Sequence, residues 1–117
     1  MRKFKSGSVR DSEDNKEDYT ETISWIALKR YAQYMTSCQK KYGKGNWIKG
    51  IPSDSYERSL LRHIQKYLSN KYYRAKIEPV EPEIDHLSAA LFNIQGLIHN
   101  EEIKKTENKK NRRDKYN

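Results

Sequence analysis

The chain has little cysteine and no long apolar run, and each shortage excludes a class of structure. Its single cysteine, Cys38, excludes an internal disulfide and a zinc site built from several cysteines, and it is typical of a reducing cytoplasm. No stretch approaches the roughly 18 apolar residues that cross a bilayer, and the N-terminus has no apolar segment typical of a signal peptide. We therefore expect a soluble, cytoplasmic protein that makes no membrane contact.

Apolar residues are also scarce. They make up 34% of the 117 residues, and the mean hydropathy is −1.16. A domain of this size buries only about 60–70% of the surface of its unfolded chain, so its core is thin. We expect a homo-oligomer, a dimer or larger, to complete the fold.

Positive charge is plentiful, but it is concentrated at one end. The net charge is +8, and residues 104–117 carry seven basic and two acidic side chains, which is +5 of that total. A segment of this composition is predicted to be a disordered basic tail. The alternative is weak, non-specific contact with nucleic acid through phosphate charge.

The spacing of the apolar residues predicts an all-α fold, a small bundle of three to four helices, with no convincing β-strand. We expect a flexible polar arm over residues 1–20, a helical domain that carries the candidate functional residues over 21–103, and the tail over 104–117. A capping box of Asp18 and Glu21 starts a first helix that runs to about Lys41. A second helix, capped by Ser53 or Asp54, runs to about residue 74.

A third helix ends near Ile103 and has the clearest amphipathic pattern in the chain. Its apolar positions are Ile84, Leu87, Leu91, Ile94 and Ile98. Along a neighbouring face, Ala89 and Gly96 are small enough for close contact between helices.

The loop over residues 43–52 holds glycines, two lysines, an amide and an indole, an unusual mixture for a simple connection. If it folds over the start of the second helix, its cations can neutralise phosphates, and Trp47 and the tyrosines of the chain can stack on a base. The candidate phosphate-binding cations are Lys41, Lys44, Lys49 and Arg62. The spacing is not that of a P-loop.

Side chains that can act in catalysis or bind a ligand also occur on the second and third helices. Asp85 and His86 can meet His63 where these helices pack together, and Asn93 lies two turns beyond His86 on the same face. Asn93 either bonds a neighbouring helix or lines a pocket, and the histidines are either structural or functional. Glu78, Glu81 and Glu83 precede Asp85, and a magnesium or manganese ion held by Asp85, Glu83 and Glu81 is one interpretation of this cluster. The other is a solvated acidic loop.

Several segments together resemble a known family. They are Arg10-Asp-Ser-Glu-Asp-Asn-Lys16, Ala27-Leu-Lys-Arg-Tyr-Ala32, Lys40-Lys-Tyr-Gly-Lys-Gly-Asn-Trp-Ile-Lys-Gly-Ile-Pro52, Leu61-Arg-His63 and Asp85-His-Leu-Ser-Ala-Ala-Leu-Phe-Asn93. In this order they resemble the phage-encoded dATP/dGTP diphosphohydrolases.

The resemblance implies a small MazG-like all-α fold, a divalent metal, and hydrolysis of nucleoside triphosphates to monophosphates and pyrophosphate in the cytoplasm of a phage-infected bacterium. By position, it implies functional roles for Lys41, Asn46, Trp47, Lys49, Arg62, His63, Asp85, His86 and Asn93.

The chain departs from the family pattern in two places. Ser69-Asn70-Lys71-Tyr72 stands where many relatives have Gly-Glu and an acidic stretch, and Ala89 stands where some have a second histidine. The leading hypothesis is a hydrolase in which His63 or His86 acts as a general base or orients other groups. The alternative is a non-catalytic protein that sequesters a host nucleotide or a cyclic-nucleotide immune signal.

Overall fold

A computed structural model describes residues 1–73 and 83–116, without the side chains of residues 83, 84 and 114–116. In chain order its elements are β1 (Arg2–Lys3), β2 (Val9–Arg10), α1 (Trp25–Tyr42), a 3₁₀ turn (Asn46–Lys49), α2 (Ser53–Leu68), one π-helical turn (Ser69–Tyr73) and α3 (Glu83–Tyr116). The predicted all-α class is confirmed. None of the described helices is long and apolar enough to span a membrane.

The first helix starts later than the sequence predicts. Ser24 is its N-cap, and the Ser24 Oγ accepts a hydrogen bond from the backbone N–H of Ala27 at 3.1 Å. The Asp18 carboxylate instead accepts from the amides of Thr20 and Glu21 at 2.8 and 3.2 Å, which closes a local turn. The predicted start at Asp18 is therefore wrong, because the same carboxylate geometry stabilises an isolated turn as well as a helix.

The N-terminal segment contains a small hairpin that the sequence does not reveal. β1 and β2 pair antiparallel, with Arg2 opposite Arg10. Gly7 has a φ of 92°, a conformation that favours glycine, and it lies in the connecting turn. The expectation of no strand is wrong for these residues, because two-residue strands are too short to show an alternating pattern.

The second helix begins at Ser53, directly after Pro52, which occupies the N-cap position with no side-chain cap. The predicted cap by Ser53 or Asp54 is therefore wrong. Pro52 has the extended ψ of 143° that a capping residue needs, and Asp54 pairs with Arg58 one turn on, at 3.3 Å.

The α2 and α3 helices form an antiparallel hairpin, the largest packing interface among the described elements. Three hydrogen-bonded pairs show the register: Ser53 with Asn100 at 3.1 Å, Ser59 with Asn93 at 3.2 Å, and His63 with His86 at 3.2 Å. The residue number on α3 falls as that on α2 rises. The connection between them spans residues 74–82, which include Glu78 and Glu81 and lie outside the described residues.

The α3 helix differs from its predicted form in length and in the face that it buries. It continues through Tyr116, so the predicted end near Ile103 is wrong, and residues 104–113 of the basic tail are exposed on this helical extension. The buried side is polar and small. Its buried residues are His86, Ser88, Ala89, Ala90, Asn93 and Gly96. The apolar stripe of the amphipathic pattern instead remains 40–59% exposed from Leu87 to Ile98.

The molecule is extended and its apolar core is thin. Its radius of gyration is 20.1 Å, against about 13 Å for a compact domain of about 100 residues. Within the described residues, the buried apolar side chains are Tyr31, Tyr56, Ala89 and Ala90. The thin core expected from the composition is thus present.

Candidate functional site

A cavity of about 460 Å³ lies between α1, the 3₁₀ turn, α2 and α3. This volume is within the usual range for small-molecule sites. The aromatic side chains on its wall are Tyr31, Tyr34, Tyr42, Trp47 and Phe92. Its wall also carries the polar side chains of Asn46, Ser59, His63, Asn93 and Gln95.

The α1 wall is built by residues three or four apart. Tyr31, Tyr34, Met35 and Cys38 recur at this spacing and therefore share the face of α1 that looks toward α3. The Tyr31 hydroxyl donates to the Gln95 Oε1 at 3.2 Å. Burial raises the pKa of Tyr31, so its hydroxyl stays protonated and remains a donor at neutral pH.

Two glycines shape the loop that forms the next wall. Gly43 and Gly45 have φ angles of 85° and 70°, which allow the chain to leave α1 and turn directly into the 3₁₀ turn. Trp47, in that turn, packs edge-to-face against His99 of α3 with ring centroids 5.2 Å apart. The indole is thereby fixed at the cavity wall.

A single side chain of α3 holds the far end of this loop. The Asn100 Nδ2 donates to the carbonyl oxygen of Ile51 at 2.9 Å and to the Ser53 Oγ at 3.1 Å. The loop is therefore attached to α3 at both Trp47 and Ile51. The sequence does not reveal this, because the partners are separated by about fifty residues.

Asn93 combines both roles that the sequence leaves open, because it bonds a neighbouring helix and also lines the cavity. Its Nδ2 donates to the Ser59 Oγ at 3.2 Å and to the Ala89 carbonyl at 2.8 Å. Both amide hydrogens are therefore used, and its carbonyl oxygen is the group suited to accept from a ligand. Gln95 is the converse: its oxygen accepts from Tyr31, so its NH₂ group is suited to donate.

Two histidines lie at the α2–α3 interface. The Nδ1 atoms of His63 and His86 are 3.2 Å apart, so one ring donates and the other accepts. His86 is only 1% exposed, whereas His63 lines the cavity. The hydrogen bond therefore connects a cavity-lining ring to a buried ring that fixes its orientation.

Asp85, next to His86, is paired with α1. Its carboxylate accepts a hydrogen bond from the guanidinium of Arg30, and both side chains are about 30% exposed. The pair joins the first turn of α3 to the second turn of α1.

The predicted cations do not lie on the cavity wall. Lys41, Lys44, Lys49 and Arg62 are exposed, and the described part of the wall contains no lysine, arginine, aspartate or glutamate. The structure thus brings Asn46, Trp47, His63 and Asn93 together, and leaves these four cations outside that group. Apart from the His63 imidazole, the described wall is therefore neutral.

The predicted metal ligands do not form a metal site within the described residues. Glu81 and the side chain of Glu83 lie outside that part of the chain, and Asp85 already binds Arg30. In the described ranges, no three His, Cys, Asp or Glu side chains form a group that could hold a metal ion. The described residues alone therefore do not fit a divalent ion.

Sequence analysis missed four polar or aromatic residues of the cavity wall, which are Gln39, Ser59, Phe92 and Gln95. The sequence predicts that tyrosines stack on a base, and the structure places Tyr31, Tyr34 and Tyr42 on the wall. The spacing of these three residues on α1 gives a signal, but that spacing equally indicates an ordinary packing face.

A comparison with protein families finds one match that spans most of the chain. The model of the N-terminal region of dATP/dGTP diphosphohydrolases matches residues 6–110. No curated protein and no solved structure gives a significant match. The matched range includes every described residue of the cavity wall.

Proposed function

The chain belongs to the dATP/dGTP diphosphohydrolase family, and from that premise we propose that it binds a purine deoxynucleoside triphosphate and hydrolyses it to the monophosphate and pyrophosphate. The family match supplies the reaction class. The cavity supplies the reason to place the nucleotide between α1, α2, α3 and the 3₁₀ turn.

The observation that carries the proposal is the composition of the cavity wall. Aromatic rings bind the flat face of a base, and amide groups bind its polar edge. Trp47 and Phe92 supply rings, Asn93 supplies an acceptor and Gln95 a donor. A neutral wall of this kind suits the base and sugar, whereas a triphosphate needs cations. In the proposal the base therefore enters the cavity and the phosphates remain at its mouth.

The proposed reaction is attack of water on the α-phosphorus. A new P–O bond forms, the bond from the α-phosphorus to the bridging oxygen breaks, and pyrophosphate leaves with the electron pair of that bond. His63 is the proposed acceptor of the proton from water, since it lines the cavity and is oriented by His86. Magnesium or manganese is the cofactor that the resemblance to the family implies for this reaction.

The direct test is to incubate the protein with dATP, dGTP, dCTP or dTTP, with and without Mg²⁺, and to follow pyrophosphate. We expect release from the purine nucleotides. His63→Gln should lower kcat about 100-fold or more with little change in KM, because general-base catalysis contributes roughly 10²–10⁴-fold. Arg58→Gln, an exposed change on the same helix, is the control and should leave both constants unchanged. No turnover of any nucleotide contradicts the proposed reaction.

A second candidate function is sequestration without cleavage, and the neutral wall favours it. A cavity that holds a base without cations can bind a nucleotide or a cyclic nucleotide equally well. Heating the loaded protein distinguishes the two functions: intact ligand in the supernatant supports sequestration, and monophosphate supports hydrolysis.

A further inference from the structure

A group of tyrosines lies at the C-terminal end of α2 and in the π-helical turn that follows it. Tyr72 and Tyr73 are 67% and 79% exposed, and Tyr67 is half-buried at the end of α2. Lys71 lies between Tyr67 and Tyr72 in the sequence, and we call these four residues the aromatic–basic cluster. None of the four lies on the described wall of the cavity. The proposed nucleotide site therefore does not account for them.

Lys71 holds two of the rings around one positive charge. Its Nζ donates to the Tyr67 hydroxyl at 3.5 Å and lies over the rings of Tyr67 and Tyr72, 5.6 and 5.4 Å from their centroids. The hydrogen bond to Tyr67 and the charges of the two phenols raise the pKa of Lys71 above its usual 10.5. The cluster therefore presents a charged ammonium beside aromatic rings at neutral pH.

The charge around the cluster has a single sign. Residues 61–73 contain Arg62, Lys66 and Lys71 and no aspartate or glutamate. Arg62 and Lys66 are about one helical turn apart, so they share a side of α2 with about 6 Å between them along the axis. Within the described residues, none of the three cations forms an ion pair. Their charges remain available to an anionic partner.

Exposed rings beside cations suit one class of partner. Aromatic side chains stack on the faces of unpaired bases, whatever the sequence, while neighbouring cations neutralise the phosphates. The bases of a duplex already stack on each other, so a duplex offers these rings no base face. A membrane surface requires aliphatic side chains to insert, and the turn Ser69–Tyr73 contains none. We propose that the aromatic–basic cluster, together with Arg62 and Lys66, binds single-stranded nucleic acid without base preference.

The exposed basic part of α3, residues 104–113, is a separate region. Asn100 bonds Ser53, the first residue of α2, so this part of α3 extends beyond the start of α2. The cluster lies at the other end of α2, about 24 Å away along the helix. Residues 104–113 contain six cations and no aromatic residue. They can therefore attract phosphates, but they give no reason to prefer a single strand over a duplex.

The test is the affinity of the full chain for fluorescently labelled oligothymidylate, as a single strand and annealed to oligodeoxyadenylate, measured by anisotropy. We expect the single strand to bind about tenfold more tightly than the duplex, or more. Tyr73→Ala should weaken binding of the single strand about tenfold, because one stacked base is lost, whereas Tyr73→Phe should keep the affinity. Tyr19→Ala removes a tyrosine that is 66% exposed outside the cluster, and it should have no effect.

The salt dependence tests the part assigned to charge. Lys71→Gln should reduce the slope of log affinity against log salt by about 0.7, the value for one phosphate contact on a single strand. Lys109→Gln, on the exposed basic part of α3, is the matched control and should leave the slope unchanged. A reduced slope for Lys109→Gln with none for Lys71→Gln assigns binding to that part of α3 and overturns the proposal.

Two further results would overturn it. Equal affinity of the wild-type chain for single strand and duplex is one, and this measurement needs no variant. The other is a loss of strand affinity in Trp47→Ala with none in Tyr73→Ala, which places the strand in the cavity instead. Tyr73→Ala should leave kcat and KM for dATP unchanged, because Tyr73 is not on the cavity wall. Failure of this proposal therefore leaves the proposed hydrolysis untouched, and failure of the hydrolysis leaves strand binding untouched.

Discussion

Gly96 of α3 lies against the ring of Tyr56 on α2. A Cβ atom built on Gly96 would clash with this ring, which is itself almost fully buried. Replacing glycine with alanine within an exposed helix stabilises it by roughly 0.5–1 kcal/mol. At this position the sign should reverse, because the buried ring must move.

We expect Gly96→Ala to lower the free energy of unfolding by about 1–3 kcal/mol in urea titration. The matched experiment makes the same change in a Tyr56→Ala background, where the obstructing ring is gone. There Gly96→Ala should be neutral or stabilising. An equal loss of stability in both backgrounds would contradict the contact between Gly96 and Tyr56.

Tyr31 is a buried phenol on the cavity wall, and its burial makes the stability of the fold depend on pH. Burial, and to a lesser extent the charges of Tyr56 and Cys38, raise the pKa of Tyr31 above its usual 10.0 in the folded state. The unfolded chain therefore loses this proton first as the pH rises. The stabilisation from Tyr31 is complete below about pH 10 and is lost as the pH rises through the raised pKa.

We predict that Tyr31→Phe costs roughly 0.5–1.5 kcal/mol at pH 8, because the hydrogen bond to Gln95 is lost. The variant should also lose less stability than the wild type between pH 10 and 12. Urea unfolding at several pH values measures both effects. Parallel curves for the two proteins above pH 10 would show that Tyr31 is not buried as described.

Among the elements, the loop between α1 and α2 depends on α3 for its position. Asn100 donates to Ile51 and Ser53, and His99 packs against Trp47. Asn100→Ala should lower the free energy of unfolding by about 1–2 kcal/mol and should weaken nucleotide binding, because the loop that carries Trp47 loses one of its two attachments to α3. The control is Asn108→Ala, at an exposed position further along α3.

Fluorescence of the two tryptophans and ligand titration measure this effect. If Asn100→Ala leaves both the affinity and the emission of Trp47 unchanged, the loop is held by other contacts. Trp25 lies on α1, so a Trp25→Phe background isolates the signal from Trp47.

The helices themselves could be predicted from local pattern, because each depends on the spacing of its own residues. The starts of α1 and α2 were less predictable, since Asp18 and Ser24 are both capable caps and only the fold selects one. The face that α3 buries is only partly predictable, because the small residues Ala89 and Gly96 indicate it while the apolar stripe gives the stronger signal. The polar side is buried because His86 and Asn93 hydrogen-bond to His63 and Ser59 of α2. These partners are far apart in the sequence, so local spacing does not reveal them.

Across the whole molecule, the two sides of the α2–α3 hairpin have different chemistry. One side is covered by α1 and the loop and encloses an aromatic, amide-lined cavity. The other exposes the aliphatic side chains Leu87, Leu91, Ile94 and Ile98 of α3. Sequence reasoning identified Asn46, Trp47, His63 and Asn93 as candidates and expected a pocket facing phosphates. The structure groups these four around a neutral cavity and leaves the lysines outside, because charge alone does not determine which side of a loop a lysine occupies.

The central claim is that the cavity recognises the base of a nucleotide rather than its phosphates. Isothermal titration with dATP, deoxyadenosine and inorganic tripolyphosphate tests it most directly. We predict that deoxyadenosine binds and competes with dATP, that Trp47→Ala weakens both by about tenfold or more, and that tripolyphosphate alone binds at least tenfold more weakly than dATP. Tripolyphosphate that binds as tightly as dATP, together with no binding of deoxyadenosine, would contradict the account.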